Sequence, residues 1–443
     1  MDAIVIGGGL AGCEAAWQLA ERGHTVRLVE MRPVQQTPAH QTDQLAELVC
    51  TNSFKSEELS NAHGLLKAEM RALGSILLAA ADESRVPAGA ALAVDRHVFS
   101  AHMSERIAQH PNITIERREI SAIPDGSAII ATGPLTSNAL TTSIQRLLDT
   151  NDLAFYDSIA PIVSGDSVDR DIAFLQSRWG KGEGDDYFNC PLNQEEYRAF
   201  LAVLREADTY PGHDWENIPY FEGCLPIEVM ASRGDDTLRF GPMKPIGLRE
   251  PRTGKRPYAV LQLRREDRNG QMWNLVGFQT RLRTGEQKRV FSMIPGLARA
   301  EFLRFGSIHR NTYLNFPACL THYGAPRTRA DVIFAGQLTG VEGYTESAAS
   351  GILAGINLDR VLRGVDPVIP PSTTMLGGLF RYLREAPAER FQPMNSNFGL
   401  LDPLSDEVRD KHNRRERLVI RARQDFTSWL REHELAPIAG SIA

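Results

Sequence analysis

The chain opens on an apolar run from Asp2 to Ile6, passes through three consecutive glycines, and continues with apolar positions at helical spacing through Ala15, Ala16 and Leu19 to about Arg22. A second apolar run, Thr25 to Val29, ends in Glu30. Short apolar runs on either side of a glycine turn and a helical repeat predict strand, tight turn, helix, strand, the beginning of a parallel α/β unit. Further buried strands are expected at Ser127 to Ala131, leading into Thr132 and Gly133, and at Val332 to Ala335. A helix should follow the latter from Thr345 to about Leu362, with Ala348, Ala349, Gly351, Ala354 and Gly355 permitting close approach of another backbone. The last long helical pattern begins near Ser405, read as its N-cap, and runs towards Leu430 after a linker at Pro367 to Pro371.

The glycine turn has a chemistry of its own. Gly7, Gly9 and Gly12 occupy the GxGxxG places in the run Gly7-Gly8-Gly9-Leu10-Ala11-Gly12, and Glu30 stands 18 residues beyond the last of them. Gly7 allows the turn, Gly9 lets a pyrophosphate approach the helix N-terminus, Gly12 lets helix and strand pack closely, and Glu30 can accept ribose hydroxyls. An acid at that place favours a ribose without a 2′-phosphate, so the dinucleotide is FAD or NAD. The late segment decides for FAD: backbone amides where Gly336, Gln337, Gly340, Gly343 and Tyr344 lead into a helix suit the electron-rich edge of a flavin. Gly133, at the end of its strand, offers a second small-residue approach.

These features predict an α/β protein with a Rossmann-like FAD-binding fold of the glutathione-reductase type and an inserted α+β domain. The FAD-binding domain would comprise residues 1–150 and 325–443, and the insertion residues 151–324.

Composition narrows the class. The 443 residues are 42% hydrophobic and 23% charged, with no apolar run long enough for a membrane span, so a cytoplasmic protein without a membrane partner is expected. Five cysteines without a CxxC pair or metal-ligand spacing argue against a disulfide scaffold, a disulfide reductase and a metal centre. The net charge of −6 hides an uneven distribution, for Arg233 to Arg310 holds 17 Lys or Arg against 7 Asp or Glu. Such a stretch would serve as a phosphate-tracking surface or as a solvated face.

Cys224 follows Gly223 and precedes Pro226, a turn context that exposes a thiol, while Cys50 ends an apolar stretch in the long loop after the second strand. Cys13 and Cys319 read as packing residues, and Cys190 is open. His309 is a candidate for stacking on a planar ligand, and Arg283, Lys288 and Arg289 are candidates for phosphate or glutamate-tail contacts.

Several strings together are more specific than any of these motifs: Gly7 to Glu14, Glu30-Met31-Arg32-Pro33, Thr37-Pro38-Ala39-His40, Glu47 to Ser53, Tyr220 to Ala231, Gly241-Pro242-Met243-Lys244-Pro245 and Gly336 to Glu346. They resemble the bacterial folate- and FAD-dependent tRNA (uracil-5-)-methyltransferases over the whole chain. The resemblance implies formation of 5-methyluridine at position 54 in the tRNA T-arm. The one-carbon unit would come from 5,10-methylenetetrahydrofolate, FAD would act in the transfer, and NADPH or NADH would be the reductant. It also implies Cys224 as the nucleophile that adds to uracil carbon-6 and Cys50 as an essential partner near the flavin. The target uridine would be flipped out of its loop, and no obligate protein partner is implied. Two rivals are a wobble-uridine-modifying FAD enzyme, whose chains are longer and act with a GTPase, and a non-catalytic FAD-bound RNA-binding protein.

Overall fold

Five parallel strands form the sheet that organises the chain, in the order Val332–Phe334, Ala128–Ile130, Asp2–Ile6, Thr25–Glu30, Ile113–Arg117. The strand from the last third thus pairs with Ala128–Ile130, so the sheet is completed only by distant sequence. The computed structural model describes residues 1–37, 39–149, 153–210, 225–267, 269–406 and 408–435, with the side chains of 153–159, 307–312 and 411 outside that description.

The helix Leu10–Glu21 packs against the late helix Tyr344–Leu362, and glycine sets how closely. A Cβ on Gly351 would lie 2.1 Å from the Ala11 carbonyl oxygen, and one on Gly355 would lie 2.8 Å from that of Ala15. The small residues of the late helix therefore serve this helix–helix contact. Another part of the apolar core lies with Ile130, Ile144, Phe316, Phe334 and Leu379.

A six-stranded antiparallel sheet is built entirely between residues 162 and 304, in the order Phe174–Leu175, Tyr187–Leu192, Ala259–Arg265, Met272–Leu275, Ile162–Ser164, Phe302–Arg304. It has a core of its own, in which Phe200, Phe278 and Phe291 are fully buried; each such ring contributes about 1.5–3 kcal/mol on burial. The chain enters and leaves this part through one antiparallel ribbon, Leu153–Ile159 with Ser307–Tyr313, where His309 pairs with Asp157. The architecture is an α/β fold with a parallel dinucleotide-binding-like sheet and additional α+β elements.

One expectation needs correction. The C-terminal helix is Lys411–Glu432 and its cap is Asp410, whose carboxylate accepts the Asn413 N–H at 2.7 Å, not Ser405. The 402–403 stretch before it is instead held as a strap, its Pro403 carbonyl accepting from Arg421 at 2.8 Å. Between the linker at Pro367 to Pro371 and the C-terminal helix lies a further helix, Met375–Glu385, which the pattern did not predict.

Candidate functional site

The first glycine turn borders a cleft lined by Gly7, Gly9, Glu30, Arg32, Thr132 and Thr136, among others. Gly7 has φ +104°, and a Cβ there would lie 2.5 Å from the Ala131 carbonyl oxygen. Gly12 is tighter still, because its Cβ would sit 1.8 Å from the Gly7 oxygen. Gly9 is the opposite case: no atom lies within 4 Å of a Cβ built there. That open space is at the N-cap of Leu10–Glu21, which has no side-chain cap. Leu10, Ala11 and Gly12 form the first turn of this helix, whose N-terminal amides suit an anion.

Glu30 faces this cleft with its geometry already set. Its Oε2 accepts the Gly8 N–H at 2.8 Å, and its Oε1 accepts both the backbone N–H and the Nε–H of Arg32 at 3.0 Å. Burial alone would raise its pKa, but the Arg32 guanidinium and these donors hold it below the usual carboxylate range. Arg32 is itself buried and also donates to the Thr42 carbonyl and to Glu47, each at 3.0 Å. Sequence reasoning did not assign Arg32, Thr37 or His40 to the site, although the strings that contain them were distinctive; all three line the cleft.

The late turn meets the first helix at Gly336 (φ +79°), where a Cβ would lie 3.0 Å from that of Ala11. Gln337 donates to Glu342 at 2.8 Å, Gly340 packs on Phe391, and Gly343 is the N-cap of Tyr344–Leu362, again without a side-chain cap. Gly133 (φ +68°) faces open space beside Thr132 and Thr136.

Tyr344 links this turn to Cys50. Its phenolic oxygen accepts the backbone N–H of Cys50 at 2.7 Å and that of Thr51 at 3.3 Å. The same loop is held from the antiparallel sheet. Asn52 is fully buried; its amide donates to the Val94 and Arg265 carbonyls at 2.8 Å and accepts from Arg264 Nε at 2.9 Å. Arg264 also donates to Thr51 Oγ1 at 2.5 Å, and Arg96, paired with Glu266, donates to the Leu48 carbonyl at 2.9 Å. Cys50, half-buried, thus sits on a loop clamped by three distant segments. Beside it, a second cleft of roughly 720 Å³ is lined by Thr42, Leu48, Arg96, Glu266, Met272 and Arg304. Arg304 has its pKa lowered by burial and by the neighbouring Arg96 charge.

Cys224 lies outside the described residues, but the ends of its segment do not. Before it, the Asp208 carbonyl accepts the Arg283 N–H at 3.1 Å and the Tyr210 N–H donates to Arg281 at 2.9 Å. After it, the Ile227 N–H donates to Gln279 at 2.7 Å, and Glu228 accepts from Thr280 Oγ1 and the Arg281 N–H, both at 2.9 Å. Arg283, Lys288 and Arg289 are exposed on or beside the helix Thr284–Phe291 and do not line the glycine cleft. Arg289 is partly neutralised by Glu286 at 3.0 Å. Of the other thiols, Cys13 is fully buried; burial pushes Cys190 up to about 12. Cys319 donates to the Asn315 carbonyl at 3.0 Å. Among the described residues no helix is long and apolar enough to cross a membrane.

The family model for glucose inhibited division protein A matches residues 2–366. The chain is 55% identical over 431 residues to the methylenetetrahydrofolate–tRNA-(uracil-5-)-methyltransferase TrmFO of Geobacter sulfurreducens, covering 96% of this chain and 98% of that one. It is 54% identical to the Aquifex aeolicus protein of the same description, covering 98% and 97%. Among solved structures, Aquifex aeolicus GidA in two crystal forms superimposes with TM-score 0.67 at 15% and 16% identity, covering 98% of this chain and 75% and 77% of those chains. At that identity the likeness shows the fold alone.

Proposed function

The chain belongs to the glucose inhibited division protein A family, and from that premise we propose that it is a folate- and FAD-dependent tRNA (uracil-5-)-methyltransferase acting on the T-loop uridine at position 54. The observation that carries this reading is the 55% identity with a TrmFO enzyme across nearly the full length of both chains. The residues present fit FAD, on a fold of the glutathione-reductase type. The space at Gly9, the uncapped helix behind it and the cleft face of Glu30 form a cradle that a Cβ would fill. Glu30 Oε2 accepts a single bond from the protein and keeps a lone pair for a ribose hydroxyl. When bound, FAD supplies the redox chemistry for the one-carbon unit, with NADPH or NADH as the electron source.

The protein's own contribution begins with the thiols. Carbon-5 of uracil becomes nucleophilic only after a thiolate has added to carbon-6, and Cys224 is the residue assigned to that step. After carbon-5 has taken the one-carbon unit, its proton leaves to a base and the thiolate is expelled; Cys50 is the partner for this proton traffic. The described residues on either side of the Cys224 segment bond to residues 279–283. The cleft with Arg304 suits the anionic tail of the folate, and His309 is assigned to a planar substrate ring. The division into FAD-binding residues 1–150 and 325–443 with a substrate-binding insertion at 151–324 accords with the separate antiparallel sheet.

Cys224→Ser tests the reading against a non-catalytic RNA-binding protein. The variant should retain FAD and tRNA while transferring no methyl group; full methylation would remove Cys224 from the mechanism.

A further inference from the structure

On the outer side of the antiparallel sheet, a tryptophan is held in a backbone conformation that bulky residues rarely adopt. Trp179, in the turn Arg178–Gly180, has φ +55° and ψ +25°, yet its side chain is 65% exposed. Left-handed backbone at a bulky residue persists only where its surroundings impose it, and such outliers concentrate at binding sites. Here the surroundings are explicit. The Trp179 N–H donates to the Gly247 carbonyl at 3.1 Å. The preceding Arg178 donates to the Ile246 carbonyl at 2.5 Å and to Gln262 at 2.8 Å. Gln262 is rooted in turn on Asn189 at 2.9 Å, within the sheet.

The ring rests against Gly247, where a Cβ would come within 2.8 Å of it. Gly247 lies just beyond the Gly241 to Pro245 string, which the flavin and thiol chemistry leaves without a role. Between the turn and residues 247–249 runs an open cleft lined by Gln176, Trp179, Leu248, Arg249 and Arg256 among others. Arg256 is exposed and donates no hydrogen bond among the described residues, and Arg249 makes only a 3.3 Å bond to Gly254 beyond its backbone. The nearby Glu250 is already engaged by Arg252 at 2.6 Å. Gly180 and Gly184 also line the cleft, and no carboxylate lines it among the described residues.

We propose that this cleft is a docking groove for the RNA substrate, with an unstacked base lying on the open face of Trp179 and backbone phosphates tracking Arg249 and Arg256. The assignment rests on the reading that RNA is the substrate. An aromatic platform next to one guanidinium without a partner among the described residues and a second held by a single 3.3 Å bond is the combination that single-stranded or looped RNA requires. Ser177, just before the turn, donates to Asp186 at 3.1 Å, and Asp186 accepts the Gly89 N–H of the nucleotide-binding part at 2.6 Å. RNA seated there would contact an element joined to both parts.

The test measures binding of an unmodified tRNA transcript to the FAD-loaded protein across a salt series. Trp179→Ala should weaken binding about tenfold, the order expected for one stacked base, while Trp179→Phe keeps most of the affinity. Arg256→Gln should lower the slope of log affinity against log salt by about one. FAD content and reduction of the flavin by NADPH should stay at wild-type levels in all three. Wild-type affinity and salt slope in both Trp179→Ala and Arg256→Gln would overturn the groove. If that occurs while the wild type still methylates the transcript, the enzymatic reading stands without it; a wild type that binds no tRNA overturns both. Should Trp179→Ala fail to fold, Arg256→Gln alone decides.

Discussion

The phenolic oxygen of Tyr344 accepts the backbone N–H of Cys50 at 2.7 Å, across 294 residues of sequence. The residue that begins the late helix therefore sets the loop that presents one of the two assigned thiols. Removing the hydroxyl in Tyr344→Phe leaves the Cys50 and Thr51 N–H groups without this acceptor, a loss of about 1–3 kcal/mol where no water replaces it. Single-turnover methyl transfer should slow by tenfold or more, while FAD content stays near wild type. Equal rates would show that the loop needs no such anchor.

The second and third glycines of the motif should fail differently. Gly9→Ala meets no protein atom and should leave the melting of the FAD-free protein almost unchanged while reducing FAD affinity. Gly12→Ala drives a Cβ into the Gly7 carbonyl and should destabilise the FAD-free protein itself, by more than about 3 kcal/mol. Thermal melts with and without FAD, together with flavin absorbance, separate the two.

Asn52 is the polar hub between the loop and the antiparallel sheet. Asn52→Ala strands the Arg264 Nε–H and the Val94 and Arg265 carbonyls, and should cost about 2–4 kcal/mol in a urea melt. Asn52→Asp keeps the acceptor but loses both donated bonds, so it should be destabilised as well.

Glu14 gives the fold a pH dependence. Its carboxyl is fully buried, Oε1 accepts from Ser75 and from the Leu77 N–H at 3.1 Å, and Oε2 has no partner among the described residues. Burial raises its pKa from 4.5 to about 7. A carboxyl with a raised folded-state pKa binds more protons folded than unfolded. Its contribution is therefore complete below pH 4.5 and is lost as pH rises to about 7, by up to about 3 kcal/mol. Urea midpoints measured across that window should fall more steeply in the wild type than in Glu14→Gln; parallel curves would contradict this.

The parts of this site set by local pattern were legible in the sequence. The left-handed φ of Gly7, the open space at Gly9, the close approach at Gly12 and the Gly8–Glu30 bond all arise within one turn and two strands. Asn52 was not legible, because its function depends on Arg264 and Arg265, more than 200 residues later. The helix Met375–Glu385 was hidden by Gly377 and Gly378, which weaken a helical pattern but are required here. A Cβ on the first would lie 2.0 Å from the Pro371 carbonyl oxygen, and on the second 2.6 Å from that of Leu400. Ser405 misled as a cap because Asp410 competes for the same role five residues on and is followed by the uninterrupted helical run.

Delivery of a folate-derived methyl group to one uridine of tRNA can be followed directly. Purified FAD-loaded protein would be incubated with unmodified tRNA transcript, NADPH and methylenetetrahydrofolate labelled in its one-carbon unit, and the label then located by nucleoside analysis. Label in 5-methyluridine at the T-loop uridine is the expected result; label in the anticodon loop, or none in the RNA, would contradict the account.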